Sequence, residues 1–445
     1  MTRPVLSLLL GAAALGACTA SADEVRPPDD ELYFPTGAAM APDESVLFVA
    51  NGNSELRFDS GSVAVIDLQN VDATVSAWLT AGEIPFGCER DPDHIETLSC
   101  DEAGFLSGQA GVRVGNFATD IAVQDLGNNN LRVVIPTRGD PSIAWADWNG
   151  DQRLLSCNAS GESYALCDDD HRLSFIVTDP ELSIPEEPFG VFADSAGQFA
   201  VVTHLTTGAI TLIDSPRDGF ARITDVTASV FLPDPNTGLR GATGVAGRTP
   251  KADGDILYVG SRSEDRIQTF TVGRPVNGAP PFMLQGNYFF LDAAGGNSGA
   301  SVDTRGMTFS PTGERLYIVN RRPPTLQIYD TSLNLAGFPK NEALAVVDIC
   351  RQASTVAVAD TGDGERAYVT CFQDGQLYII NPNGIGQAEE IVLVGRGPYS
   401  VVAAPGRKKL YVTNFLEDTI AVLDLAPGSP TRNRVVLRIG TPRGQ

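Results

Sequence analysis

Apolar residues recur at alternate positions along most of this chain, in short runs separated by turns rich in Gly, Pro, Asp and Asn. In LYVTNFLEDTIAVLDL, two such runs, Leu410 to Thr413 and Thr419 to Leu425, flank a polar turn carrying Glu417 and Asp418. Successive side chains of a strand point to opposite faces, so this pattern predicts a hairpin with one buried face. Just upstream, Pro398 to Pro405 (PYSVVAAP) reads as a small-residue strand followed by a turn centred on Gly406. A unit of three such strands cannot bury its own faces, which makes repetition the next thing to look for.

Aligned on the small-residue strand, the chain yields seven copies: PTGAAMAP from Pro35, ATDIAVQD from Ala118, PFGVFADS from Pro188, ATGVAGRT from Ala242, TRGMTFSP from Thr304, ASTVAVAD from Ala353 and PYSVVAAP from Pro398. Hydrophobic second strands follow, ending at Asn51, Thr137, His204, Ser261, Asn320, Cys371 and Asn414. Third strands come next, as in VAVIDL at Val63, LQIYD at Leu326 and IAVLDL at Ile420. Fourth strands are expected at VSAWLTAG from Val75, LAVVDIC from Leu344, EIVLVG from Glu390 and RVVLRIG from Arg434. No stretch reads as an amphipathic helix of three or more turns. Residues 31–445 are therefore expected to form an all-β fold, a seven-bladed β-propeller of four-stranded antiparallel blades. A string of separate small β domains is the alternative, and the lack of linkers between copies argues against it. Ring closure is expected through RVVLRIG alone, or with Glu31 to Phe34 as an outer strand beside it.

LYVTNFLEDTIAVLDL, SPTGERLYIVN (Ser310 to Asn320) and the step from Gly397-Pro398 into a small-residue strand resemble the YVTN-repeat seven-bladed propellers. These are exported bacterial proteins that also resemble the lactonase-type propellers. The resemblance runs from about residue 35 to residue 440 and implies the fold. It leaves activity open, because a repeat consensus encodes packing. The catalytic residues of lactonase propellers find no residue-by-residue match here.

Export is also suggested by the first residues. Arg3, the apolar run Val5 to Leu15 and the ending Leu15-Gly16-Ala17-Cys18 have the order of a signal peptide. LGAC resembles the bacterial lipobox, which implies a signal segment over 1–17, diacylation of Cys18 and a membrane anchor through it. Residues 18–30 would then be a flexible tether, and Thr19 after the cysteine points to the outer membrane. Cleavage as an ordinary signal peptide near Ala20 or Ala22 is the competing reading. The other six cysteines form local pairs by proximity, Cys88 with Cys100, Cys157 with Cys167 and Cys350 with Cys371, as disulfides of an exported protein would. With no CxxC spacing, a zinc site is the weaker alternative. The net charge of −23 argues against nucleic acid as a partner over any broad surface.

Candidate chemistry is sparse. Asp147-Trp148-Asn149-Gly150-Asp151 and the run Asp168, Asp169, Asp170 offer closely spaced oxygen ligands of the kind Ca²⁺ takes, without EF-hand spacing; a solvated acidic turn is the simpler account. No other cofactor is required by the sequence. His94, His171 and His204 lie in different copies, and no Ser-His-Asp order or haem CxxCH is present. Gly295 to Gly299 is Gly-rich but opens no helix, which speaks against a phosphate cradle.

Topology supplies the sharper expectation. In an antiparallel blade the start of the first strand and the end of the second share a rim, so the alignment gathers Thr36, Thr119, Phe189, Thr243, Arg305, Ser354 and Tyr399 at one channel mouth. Arg138, His204, Arg262, Arg321 and Phe415 are expected just outside them. From this set Arg138, Phe189, His204, Arg262, Arg305, Arg321 and Tyr399 are the candidate binding residues for an anionic ligand or a protein partner. The competing account has these arginines pairing with Asp120, Glu264 or Asp265 to close the rim. A hydrolytic, lactonase-like site at the same mouth is the alternative function.

Overall fold

The computed structural model describes residues 25–442 except 177–178, 196, 236, 239, 249–254, 275, 277, 292–302 and 385; Cys18 and Gly295 to Gly299 lie outside the described residues. Seven antiparallel blades form a β-propeller, as the repeat requires. Their inner three strands are Pro35–Met40, Val46–Asn51 and Gly61–Asp67 in blade 1; Ala122–Gly127, Asn130–Thr137 and Ser142–Asn149 in blade 2; and Pro188–Ala193, Phe199–His204 and Ile210–Asp214 in blade 3. Ala242–Arg248, Asp255–Ser261 and Arg266–Gly273 follow in blade 4, and Thr304–Phe309, Arg315–Arg321 and Pro324–Asp330 in blade 5. Blade 6 contributes Ala353–Asp360, Glu365–Cys371 and Gln376–Ile380, and blade 7 Pro398–Ala404, Lys409–Asn414 and Thr419–Asp424.

Both faces of each blade are covered by its neighbours, which is why the second and third strands are buried almost throughout. Phe48 of blade 1 meets Trp148 of blade 2 edge to face, with ring centroids 5.4 Å apart. One apolar cluster joins Leu47 and Val49 of blade 1 to Tyr411, Ile420 and Leu437 of blade 7 and so closes the ring.

The outer strands depart from the expected pattern in the first two blades. VSAWLTAG is not a strand: Leu68–Ala81 is an α-helix of 14 residues, so the expectation that no such helix exists is corrected as well. Its start is fixed by Asp67, whose carboxylate accepts from the backbone N–H groups of Gln69 (2.8 Å) and Asn70 (3.3 Å). Gly82, left-handed at φ 67°, ends it. Leu68, Val71, Val75 and Trp78 are buried along one stripe, on the helical spacing that β-branched residues had disguised. The fourth strand of blade 1 is instead Val112–Val114, after the insertion. In blade 2 the fourth strand is divided, Leu154–Ser156 pairing with one end of Ser142–Asn149 and Arg172–Leu173 with the other. The Cys157–Cys167 loop lies between the two pieces.

Ring closure also differs from expectation. Arg434–Ile439 is the fourth strand of blade 7, but its outer neighbour is Leu98–Cys100 from the blade 1 insertion, paired in parallel and followed by Cys88–Arg90. Thr97 Oγ1 donates to Val435 O at 2.6 Å, and a Cys88–Cys100 disulfide ties the two added strands together. Residues 31–34 form no outer strand. They run inward, with Leu32, Tyr33 and Phe34 buried and the Phe34 N–H donating to Asp418 Oδ1 at 2.6 Å. All three disulfides join the cysteines that proximity had paired, Cys350–Cys371 linking the blade 5–6 connection to blade 6. No helix among the described residues is long and apolar enough to cross a membrane.

Candidate functional site at the channel mouth

A shared irregularity in the innermost strands builds the mouth. Between the pairs Pro188↔His204 and Val191↔Val202 the first strand advances by one residue more than the second. Blades 1, 4, 5, 6 and 7 repeat this at the equivalent place. A bulge adds local twist and turns side chains out of the ladder, and blades 2 to 7 bring a three-residue step to the axis: Thr119-Asp120-Ile121, Phe189-Gly190-Val191, Thr243-Gly244-Val245, Arg305-Gly306-Met307, Ser354-Thr355-Val356 and Tyr399-Ser400-Val401. All of these residues except Ile121 line one cavity of about 430 Å³, joined by Arg138, Leu205 and Arg321 from the ends of the second strands. Of the residues expected at the mouth, Thr119, Phe189, Thr243, Arg305, Ser354 and Tyr399 line this cavity and Thr36 does not; of those expected just outside, Arg138 and Arg321 line it and Phe415 does not.

Small residues at the middle of each step allow the ring to close. A Cβ on Gly244 would lie 1.9 Å from Arg305 O, and one on Gly190 2.5 Å from Thr243 O. Threonine hydroxyls then stitch blade to blade. Thr36 Oγ1 donates to Ala118 O (2.9 Å), Thr119 to Phe189 O (2.7 Å), Thr203 to Thr243 O (2.6 Å), Thr355 to Tyr399 O (2.9 Å) and Thr413 to Thr36 O (2.8 Å). Those hydroxyls are committed to the scaffold. The ionisable groups lining the cavity are three guanidinium groups, one phenol and one carboxylate.

The arginines divide by partner. Arg305 is held by Asp303, with Nε–Oδ1 2.9 Å and Nη2–Oδ2 3.2 Å, and its guanidinium carbon stands 5.7 Å from the Phe189 ring. Arg138 pairs with Glu187. Arg321 has no carboxylate within ion-pair distance among the described residues; it donates from Nε to Ala353 O (2.6 Å) and from Nη2 to Ser354 Oγ (3.2 Å). Burial and the neighbouring Arg305 charge, partly offset by Asp303, bring Arg321 down to about 10. Of the acids proposed to neutralise the rim, Glu264 pairs with Arg266, while Asp120 makes no ion pair among the described residues.

Asp120 occupies a position that is Gly37, Gly190, Gly244, Gly306, Thr355 or Ser400 in the other six copies. Its carboxylate accepts from the backbone N–H of Ile121 (2.9 Å) and Val191 (3.2 Å). Burial nevertheless raises it to about 6, against the pull of those two bonds. Tyr399 is raised as well, by burial and then by Asp120, while Arg305, Arg321 and Arg138 oppose the rise, so the phenol feels charges from both sides of the cavity. The Tyr399 hydroxyl has no hydrogen-bond partner among the described residues, and its ring leans on Phe415 at 6.2 Å.

Two predicted residues fall elsewhere. His204 is completely buried, with Nε2 2.7 Å from Thr211 Oγ1 and Nδ1 3.2 Å from Glu186 O, and burial lowers it to about 4. It occupies the place of Asn51 and Asn414, whose amides likewise bond Ser62 and Thr419 at the start of the third strand. The alignment was therefore one residue off in blade 3, because alternate residues point to opposite sides. Leu205, the next residue, is the one at the cavity. Arg262 lies beyond the lining, where burial and Arg305 lower its pKa.

The acidic turns are likewise committed to structure. Asp147 holds the buried Arg132 with two bonds (2.7 and 3.0 Å). Asn149 Oδ1 accepts from the Asp151 and Gln152 N–H groups (3.0 and 2.9 Å). Asp168 caps the Asp169–His171 turn and meets His171 Nδ1 at 2.6 Å, while Asp170 gives its carbonyl to Trp145 Nε1 at 3.2 Å. Among the described residues no three His, Cys, Asp or Glu side chains converge as a metal site would require.

No family model and no curated protein sequence matches the chain. Solved structures do. A provisionally named 6-phosphogluconolactonase from Bacteroides fragilis superposes with a TM-score of 0.56 at 14% identity, covering 92% of this chain and 98% of that one. The periplasmic gluconolactonase of Pseudomonas aeruginosa gives 0.52 at 15% identity, covering 82% and 87%. Hydrazine synthase of Kuenenia stuttgartiensis gives 0.54 at 13% identity, covering 92% and 98%. At such identities the likeness is one of fold, and three differently named proteins share it; this chain is a seven-bladed propeller with lactonase-like structural neighbours.

Proposed function

We propose that the protein is an envelope-located binding module that takes a small carboxylate-bearing anion, free or on a protein partner, at the channel mouth. The observation that carries this reading is Arg321, a guanidinium without a carboxylate partner on the wall of a 430 Å³ cavity, beside a second arginine. An entering carboxylate would relieve the repulsion between Arg321 and Arg305 and gain charge-assisted hydrogen bonds. Titrating the purified protein with small mono- and dicarboxylates by calorimetry tests it. Binding should fall at least tenfold in Arg321→Gln, and equal affinity in wild type and variant would refute the site.

A second reading, a lactonase-like hydrolase, is favoured by Asp120, a carboxyl group on the wall of the same cavity that burial raises to about 6, nearer the range useful to a general base. Two of the structural neighbours carry gluconolactonase names. Proton release from sugar lactones, lost in Asp120→Asn, would support it; release at the uncatalysed rate would remove it.

Export with lipidation at Cys18 and residence in the outer membrane belongs to the same proposal. Three disulfides support an oxidising compartment. Palmitate labelling in cells that persists in Cys18→Ala would exclude the anchor.

A further inference from the structure

The cavity is electrically two-sided. Asp120 reaches it from blade 2, whereas Arg321 and Arg305 belong to blade 5, which stands across the ring in a seven-membered circle. No lysine or arginine among the described residues is within ion-pair distance of Asp120, and no carboxylate is within that distance of Arg321. Opposite charges thus face one another across a space that neither side chain spans. Arg138, the remaining cation at the mouth, is engaged by Glu187, and Arg305 by Asp303. Tyr399, on blade 7, offers a neutral hydroxyl beside them.

Asp120 is also the exception to the repeat. Six copies place Gly, Ser or Thr at this point, where small size lets the ring close. A carboxylate there accepts a bond from Val191 of the next blade that glycine could not, but its burial opposes ionisation. Its two backbone hydrogen bonds occupy part of its accepting capacity, since an ionised carboxylate offers about four lone-pair sites. The remainder faces the cavity with no cation to meet it.

We propose that the ligand of this mouth is a zwitterion of amino-acid to short-peptide size, its ammonium group meeting Asp120 and its carboxylate meeting Arg321. This rests on the anion-binding reading above and adds the cationic end to it. A simple anion would satisfy Arg321 and leave Asp120 facing it unpaired. A ligand with both charges satisfies both walls and leaves the existing pairs Arg305–Asp303 and Arg138–Glu187 undisturbed. The apolar side chains between the walls, Val191, Leu205, Val245 and Met307 among them, suit a small aliphatic body.

The test uses the purified full chain and three matched probes: dialanine, N-acetyl-dialanine and dialanine amide, with the free amino acids screened alongside by thermal shift. Binding of the best zwitterion should exceed that of its acetylated and amidated counterparts by at least tenfold each. Asp120→Asn and Asp120→Ser, the latter with the blade 7 residue type, should abolish the preference for the free amine while leaving the acetylated acid bound. Arg321→Gln should abolish the preference for the acid over the amide. Below about pH 6 the zwitterion should release protons on binding, because an ammonium group favours ionised Asp120, and the acetylated acid should take protons up. Circular dichroism verifies the fold of each variant. If the acetylated acid binds as tightly as the free amine, this inference fails and the anion site stands; if no carboxylate binds at all, both fail together.

Discussion

At neutral pH the ionised Asp120 opposes folding, and Asp120→Asn removes the pH-dependent part of that opposition. Burial raises the carboxyl from its ordinary 3.8 to about 6, which corresponds to roughly 3 kcal/mol between its protonated and ionised forms. Water in the cavity reaches the group, so this figure is a ceiling. Between about pH 4 and pH 6 the folded chain keeps a proton that the unfolded chain has released. This group's contribution to stability therefore declines as pH rises through that window and is flat above it. Asparagine never ionises, but its single carbonyl oxygen can serve only one of the Ile121 and Val191 N–H groups, at a cost of about 1–3 kcal/mol that does not vary with pH. The prediction accordingly concerns slope. Measured by urea unfolding with tryptophan fluorescence, the stability of the variant relative to wild type should rise by up to about 3 kcal/mol from pH 4 to pH 7. Asp255, raised to about 6 mainly by burial, and His204, lowered to about 4, titrate alike in both proteins and cancel. A difference that stays constant across the range would show that Asp120 is not held against ionisation.

His204 should act in the opposite direction. Because its folded-state pKa lies near 4 rather than 6.5, the unfolded chain takes up a proton that the folded one refuses as pH falls through that interval, removing roughly 3 kcal/mol. His204→Gln, still able to bond Thr211, should flatten the fall in melting temperature on that acid side; an unchanged fall would refute the assignment. Replacing Cys88 and Cys100 together by serine opens a loop of sequence separation 12 and should cost about 3 kcal/mol. Hydrogen exchange should then quicken in Leu98–Cys100 and Arg434–Ile439 and leave blade 4 unchanged; uniform quickening would show that the added strands do not act locally in ring closure. Gly244→Ala forces a methyl group into Arg305 O and should destabilise by about 3 kcal/mol, the upper end for overpacking. Any anion affinity measured by calorimetry should fall with it, since Arg305 must move.

The alternation of apolar residues and the seven small-residue strands carried the architecture, because a period of two is written directly in the chain and a four-stranded unit has no stable existence alone. They also located the mouth. Thr119, Phe189, Thr243, Arg305, Ser354 and Tyr399 reach one cavity because each occupies the same step of its copy. Asp120 was equally visible as the one charged residue at its aligned position, although alignment could not show whether an arginine would reach it. The helix Leu68–Ala81 was missed for a local reason: Val71, Val75 and Trp78 suit a strand by type, and only their spacing of four and three, with Asp67 and Gly82 at the ends, marks a helix. His204 was misplaced for a similar one, since a single step along a strand exchanges cavity for core.

What the sequence by itself determined is the repeat, its number, the inner strands of each copy and the end of each blade that forms the mouth, all consequences of short-range pattern. The tertiary structure alone decided which charges meet. Arg305 with Asp303 is a local pair, but Arg321 without an acid and Asp120 without a base follow from where blades 2 and 5 stand in a closed ring. So does the clasp of Leu98–Cys100 on Arg434–Ile439, formed by residues more than three hundred positions apart. Pairing between distant segments depends on how the ring closes, and strand-scale periodicity holds no record of that.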